Sequence, residues 1–278
     1  MPKILSDAAV SQYKREGFYF PVRILDYSDV TANRGLLEAF EESQGHPMEG
    51  AQRSKSHLLF TWIDELIRND KILDAVEDLI GPDILCWNTF FWIKEARSES
   101  FVSWHQDLRY WGLNNDDLVT VWLALSPATQ ETGCMRVLPG SHVGDLLPHK
   151  DEFERNNMLT RGQEIAVTVD DSKTVAMPLQ PGEVSMHNVR LAHASGPNCS
   201  DERRIGLSMH YMPTCTQQMV GEWDSATLVR GTDEFGHFNH TPKPKCDFDP
   251  VAVEFHEQAT SAVREILFKD AQQVRQTL

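Results

Sequence analysis

Apolar residues recur with a period near 3.6 in the first third of the chain, then alternate or cluster in short runs further on. Ser6 or Asp7 can cap a helix that carries Val10 and Tyr13 and stops at Gly17. A second helix is expected over about 31–43, with Leu36, Leu37 and Phe40 on one face, and a third over 58–67. Asp70 opens a fourth, on which Ile72, Leu73, Val76, Leu79 and Ile80 keep the helical period until Gly81-Pro82 ends it.

From residue 84 the pattern changes. The stretch 84–94 is rich in aromatic and branched side chains and reads as a strand. Further strands are expected over 101–107, 118–126, 135–138, 164–169, 174–178, 183–186 and 203–212. Turn signals at Thr132-Gly133, Pro139-Gly140, Pro181-Gly182 and Gly196-Pro197 separate them. Many short strands with frequent turns predict a barrel or jelly roll rather than a parallel βαβ sheet. The segment 214–249 has little regular pattern, and a long irregular stretch in a compact domain is often a functional loop. It is expected to close over a site. An amphipathic helix over 252–268 carries Ala259, Val263, Ile266 and Leu267.

Length adds that 278 residues allow one large domain or two small ones. No repeat or linker divides the chain, so one domain over 1–278 is expected: a helical part at 1–82, a β core at 83–213, and a lid loop with a C-terminal helix at 214–278. A hydrophobic fraction of 41% suffices for a core. The net charge of −15 argues against nucleic acid or an anionic membrane as partner. No apolar run reaches the ~18 residues of a membrane span, and the first residues lack the apolar core of a secretion signal. The five cysteines are scattered and form no C-x-x-C pair, which predicts buried free thiols and a cytoplasmic location.

The chemistry concentrates in two segments. In Trp104-His105-Gln106-Asp107, residues two apart on a strand share a face, so an imidazole and a carboxylate project together. Alone, an H-x-D pair is weak evidence. His193 follows 88 residues later, and Arg204 a further 11. Two histidines and a carboxylate on one face of an ion leave open positions and suit non-haem Fe(II). A guanidinium can hold a carboxylate through paired hydrogen bonds, and Ser195 can add a hydroxyl.

Together the segments resemble the phytanoyl-CoA dioxygenase family of iron- and 2-oxoglutarate-dependent oxygenases. The resemblance runs over about 5–212 and includes Tyr13-Lys14-Arg15-Glu16-Gly17-Phe18, Trp122-Leu123-Ala124-Leu125 and the run from Gly133 to His142. It implies a double-stranded β-helix, a cupin-like jelly roll that is mainly β with flanking helices. It implies His105, Asp107 and His193 as iron ligands, and Arg204 with Ser195 at the distal carboxylate of 2-oxoglutarate. Trp122 resembles the family's cosubstrate-pocket tryptophan, and Lys55 a helical-region lysine that contacts the cosubstrate. By similarity to ectoine hydroxylases, Asn88 and Trp111 fall at substrate-pocket positions. Because Asp107 is a carboxylate where related halogenases have Ala or Gly, hydroxylation with O2 is implied over halogenation. The implied reaction converts 2-oxoglutarate to succinate and carbon dioxide as a small molecule is oxidised.

Other residues keep two readings. Tyr110 and Trp111 serve either as core or as part of a pocket that cages a quaternary ammonium, while Phe90, Phe91 and Trp92 read as core. Arg109 and Arg190 serve either a phosphonate or carboxylate substrate or surface ion pairs, and Arg136 is expected to pair with acids. His187 is a competing ligand or a pocket residue, His142 a loop-fixing residue, and His210 a packing residue that parity with Arg204 also allows into the pocket. His237 and His240 are expected on a surface or lid loop. The alternatives to a hydroxylase of aminoalkylphosphonates, quaternary amines or other small molecules are a zinc hydrolase, which would have no use for Arg204, and a non-catalytic ligand-binding relative. Oligomeric state is left open.

Overall fold

A computed structural model describes residues 2–271; Met1 and residues 272–278 of the expected domain lie outside the described residues. The chain order is α1 (Asp7–Glu16), β1 (Phe18–Arg23), α2 (Tyr27–Gln44), α3 (Thr61–Ile67), α4 (Asp70–Ile80), β2 (Ile84–Lys94), β3 (Val102–His105), α5 (Leu108–Trp111), β4 (Val119–Ala124) and β5 (Met135–Val137). It continues with β6 (His149–Asp151), β7 (Gln163–Ile165), β8 (Val175–Met177), β9 (Glu183–Asn188), β10 (His193–Ser195), β11 (Arg204–Pro213), β12 (Ser225–Arg230), β13 (Asn239–His240) and α6 (Pro250–Phe268).

The helix ends follow local chemistry. Ser6 Oγ accepts from Ala9 N–H to start α1, and Gly17 ends it in the left-handed region. Asn69, not Asp70, caps α4, its side chain accepting from Lys71 and Ile72. Asp26 starts α2 four residues before the helix read from apolar spacing, because the first turn is polar.

The strands form a seven-stranded sheet in the order β1-β9-β4-β11-β2-β12-β13 and a four-stranded sheet in the order β3-β10-β5-β8, with β6 and β7 paired apart. No ladder joins the two larger sheets among the described residues, so the jelly roll is an open one rather than a closed barrel. Alternation decides which side chains go where. On β11, Ile205, Leu207, Met209 and Tyr211 join a core with α1 to α4, together with Val119, Val121 and Leu123 of β4. Truncating Leu207, which is fully buried, to alanine is expected to cost roughly 2–5 kcal/mol. The opposite faces of these strands look into a cavity between the sheets.

Several features depart from the sequence reading. β1 contains Pro21 and lies at the edge of the large sheet, where a missing N–H is tolerated. The segment 214–249, expected to be an irregular lid, supplies β12, which pairs with β2 and extends the main sheet. Among the described residues that line the cavity none comes from 214–249; α6 contributes Glu257, Thr260 and Leu267 instead. All five cysteines are free, but only Cys86 and Cys134 are buried. No helix among the described residues is long and apolar enough to cross a membrane.

Candidate metal centre and anion pocket

His105 and His193 are cross-strand partners in the β3–β10 ladder, and their ring centroids lie 4.1 Å apart. Asp107 Oδ1 sits 3.2 Å from His105 Nε2 and 4.0 Å from His193 Nε2. One ligand atom from each of the three falls within 4.8 Å of the other two. The strand ends at His105, earlier than expected, and Asp107 has helical backbone angles as α5 begins. The carboxylate therefore returns to His105 through a turn rather than through strand alternation.

The rings are fixed from behind. His105 Nδ1 lies 2.9 Å from Ser103 O and His193 Nδ1 2.9 Å from Leu191 O. With each Nδ1–H donated to a carbonyl, each Nε2 lone pair faces the gap, the usual support for a metal-bound imidazole. Burial, then His105, pulls His193 down to about 4, so its ring is neutral at pH 7. Burial raises the Asp107 carboxyl, but His193 and His105 outweigh it and hold it well below the usual carboxylate range. Neutral imidazoles with an ionised carboxylate are the protonation states a divalent cation requires.

The three donors open into a cavity of about 1210 Å³ that also holds Arg204, Ser195 and Trp122. Arg204 is buried, and its guanidinium donates to Gly133 O at 2.5 Å and lies 5.4 Å from the centre of the Trp122 ring. Its Nε has no partner. Burial lowers its pKa to about 10, so it stays a cation with no carboxylate beside it. A buried charge left in that condition is costly, and an anionic ligand would relieve it. Trp122 reaches Arg204 because Gly206 has no side chain; a Cβ there would stand 1.9 Å from the indole.

Lys94 was not singled out in the sequence. It faces Arg204 in the β2–β11 ladder and donates to Ser195 Oγ at 2.8 Å and to Gly196 O. Burial, then Arg204, pulls its pKa down to about 6. Parity on β2 with Asn88 is the signal that would have found it. Lys55, expected at the cosubstrate, instead turns its ammonium to Trp87 O at 2.5 Å and Ser225 O at 2.9 Å. It is at the opposite end of β2 from Arg204, and its left-handed backbone, φ 47°, sends the side chain that way.

The expected substrate residues divide. Asn88 and Trp111 line the cavity. Arg109 is exposed, and Tyr110 packs on His149 and Arg161; neither lines the cavity. Both follow Asp107 on the one-turn α5, which rotates them away. His210 lines the cavity rather than packing elsewhere, and His187 stands with its ring 4.7 Å from that of His193. Arg190 pairs with Asp116 and Arg136 with Asp171. His142 Nε2 lies 3.1 Å from Lys14 O, and His240 pairs with Asp233 on the surface.

The family model for phytanoyl-CoA dioxygenase (PhyH) matches residues 13–206, which hold every residue of the donor set and the anion pocket. The chain belongs to the phytanoyl-CoA dioxygenase family. It is 31% identical, over 66% of its length, to a probable alpha-ketoglutarate-dependent hypophosphite dioxygenase of Stutzerimonas stutzeri, covering 64% of that protein. The chain spans less than two thirds of the length of the curated relatives it matches. The structure is similar to a non-heme monooxygenase, ThoJ, in its apo form, with a TM-score of 0.82 and 34% identity over 95% of this chain and 99% of that one. It shares its fold with CytC3, solved with Fe(II) and alpha-ketoglutarate, at a TM-score of 0.64 and 23% identity over 86% of this chain and 94% of that one.

Proposed function

We propose that this phytanoyl-CoA dioxygenase family member is an Fe(II)- and 2-oxoglutarate-dependent dioxygenase that oxidises a small molecule. His105, Asp107 and His193 would hold the iron, and Arg204, Ser195 and Trp122 the distal carboxylate of 2-oxoglutarate. The observation that carries the reading is the buried Arg204 cation without a counter-charge, opening into the same cavity as the donor set. A zinc hydrolase has no use for such a cation, and a non-catalytic relative has no use for the donor set.

Ferrous iron with 2-oxoglutarate and O2 supplies an oxidant that hydroxylates a substrate while the keto acid leaves as succinate and carbon dioxide. The chain supplies position and dryness. The Ser103 and Leu191 carbonyls hold the two imidazoles in one tautomer. Arg204 would hold the distal carboxylate of the keto acid and so fix its orientation, which converts an encounter into a fixed geometry. Lys94 donates to Ser195 Oγ and so leaves the Ser195 hydroxyl proton free for the carboxylate.

The relative's name brings phosphorus oxyanions forward as one substrate class, beside aminoalkylphosphonates and quaternary amines. We read residues 1–278 as one catalytic unit, and the free thiols and lack of a spanning helix among the described residues as suited to the cytoplasm.

Anaerobic addition of Fe(II) and 2-oxoglutarate tests the reading. A weak visible charge-transfer band is expected for the wild type and its loss for Arg204→Ala or His193→Ala. Succinate formation that survives His105→Ala would overturn the ligand set.

A further inference from the structure

We propose that His187, Thr120 and His210 form the recognition site for the prime substrate, and that the group they take is a compact oxyanion of the phosphonate, phosphinate or carboxylate kind. The proposal rests on the dioxygenase reading, because it takes the cavity as the reaction chamber.

The three residues are one transverse row of the large sheet. Thr120 of β4 is the register partner of His187 on β9 and of His210 on β11, and His210 is the partner of Asn88 on β2. Pairing in register puts all four on the same face, and all four line the cavity. His187 is 1% exposed, Thr120 3% and His210 7%. Yet both ring nitrogens of His187, Thr120 Oγ1 and His210 Nδ1 have no hydrogen-bond partner. Buried polar atoms are nearly always paired, and four exceptions on three neighbouring residues of one cavity wall point to a ligand that pairs them.

The chemistry of that ligand follows from what the row can give. An imidazole carries at least one N–H whether neutral or protonated, so His187 and His210 each offer a donor. Thr120 adds a hydroxyl. The Asn88 carbonyl already accepts from Lys55 N–H at 2.8 Å and from Ser54 Oγ at 3.3 Å, which leaves its amide N–H groups to donate. Four donors in a line suit an acceptor with two or three oxygens. The Lys55 amine behind Asn88 donates to the Trp87 and Ser225 carbonyls and adds positive potential, part of which Asp224 offsets. Trp111 also lines the cavity, its ring 4.5 Å from that of His210, which leaves less room beside the row. A quaternary ammonium or an acyl chain would leave every one of these donors unpaired. The His187 ring lies 4.7 Å from the His193 ring, so a group held by the row lies beside the metal donors.

The test uses full-length protein loaded anaerobically with Fe(II) and 2-oxoglutarate and titrated with methylphosphonate, butyrate or choline, read by the shift of the charge-transfer band. Saturable shifts with methylphosphonate or butyrate, absent with choline, are expected, and the two oxyanions distinguish a tetrahedral from a planar preference. Thr120→Val and His210→Phe are each expected to weaken the oxyanion response at least tenfold while the band itself forms normally. A normal band that responds to choline alone, or to no probe, would overturn the proposal and leave the dioxygenase reading standing. So would variants that bind the oxyanions as tightly as the wild type. A wild-type protein without the band would overturn both.

Discussion

Lys94 stands opposite Arg204 in the β2–β11 ladder and donates from Nζ to Ser195 Oγ at 2.8 Å. The Arg204 guanidinium, the Lys94 amine and a hydroxyl therefore meet at one end of the cavity. Lys94 lies behind Ser195 and acts on a ligand through it, so it is a positioning residue. Lys94→Met is expected to raise KM for 2-oxoglutarate about tenfold with kcat at saturating cosubstrate nearly unchanged. An equal fall in kcat with KM intact would remove Lys94 from this role.

The same pair gives a pH dependence. Burial and Arg204 hold Lys94 near 6, with Cys134 the nearby group that favours its charge. A bound carboxylate favours the ammonium form, so binding raises the Lys94 pKa and takes up a proton. Affinity for 2-oxoglutarate is then highest near or below pH 6 and weakens as pH rises toward 9. Calorimetry in buffers of different ionisation enthalpy would register proton uptake at pH 7.5 in the wild type and none in Lys94→Met.

Gly206 tests how Trp122 is seated. A Cβ at 206 would lie 1.9 Å from the Trp122 ring, which cannot yield without leaving Arg204. Gly206→Ala is expected to cost about 1–3 kcal/mol by overpacking and to weaken 2-oxoglutarate binding more than tenfold. Unchanged melting temperature and KM would show that the indole has room to move.

Arg203 and Arg204 are neighbours with separate tasks, because strand alternation turns Arg203 to the other face. Arg203 donates to both Glu41 oxygens at 2.6 and 2.8 Å and to Glu95 at 2.9 Å. Burial raises the Glu41 carboxyl, but the Arg203 hydrogen bonds and that from Met48 N–H outweigh it, so its folded pKa is lowered. The stability this contributes is present above the unfolded value and is lost as pH falls through the folded one. Arg203→Ala is expected to destabilise by about 2 kcal/mol at pH 7, with a smaller penalty at pH 3 and no change in KM for 2-oxoglutarate. Chemical denaturation at the two pH values checks it.

Metal binding should appear as stability as well as activity. A divalent cation present at a hundredfold excess over its Kd stabilises by about 2.7 kcal/mol. Anaerobic Fe(II) is expected to raise the melting temperature of the wild type, and His193→Ala to abolish the shift. A shift that persists in that variant would place the ion elsewhere.

Particular residues show how far the sequence could be read. His105, Asp107, His193 and Arg204 are legible because two distant segments together carry the family's pattern, and the structure brings them to one cavity. The family resemblance implies Lys55 at the cosubstrate, yet its side chain turns toward carbonyls at the other end of β2. Arg109 and Tyr110 were read as neighbours of Asp107, but the strand had already ended and one helical turn carried them outward. β12 went unread because six residues in a polar, turn-rich segment carry too little pattern.

By itself the sequence determined most of the longer helices and strands, which of their faces are apolar, and that two histidines, a carboxylate and an arginine were available. Those features are local, set by caps, turns and side-chain period. Only the tertiary structure decided that His105 pairs across a ladder with His193, that Lys94 rather than Lys55 supports Ser195, and that α6 rather than the segment 214–249 lines the cavity. Each of these depends on register between strands or packing between elements far apart in the chain, which no spacing along a single segment encodes.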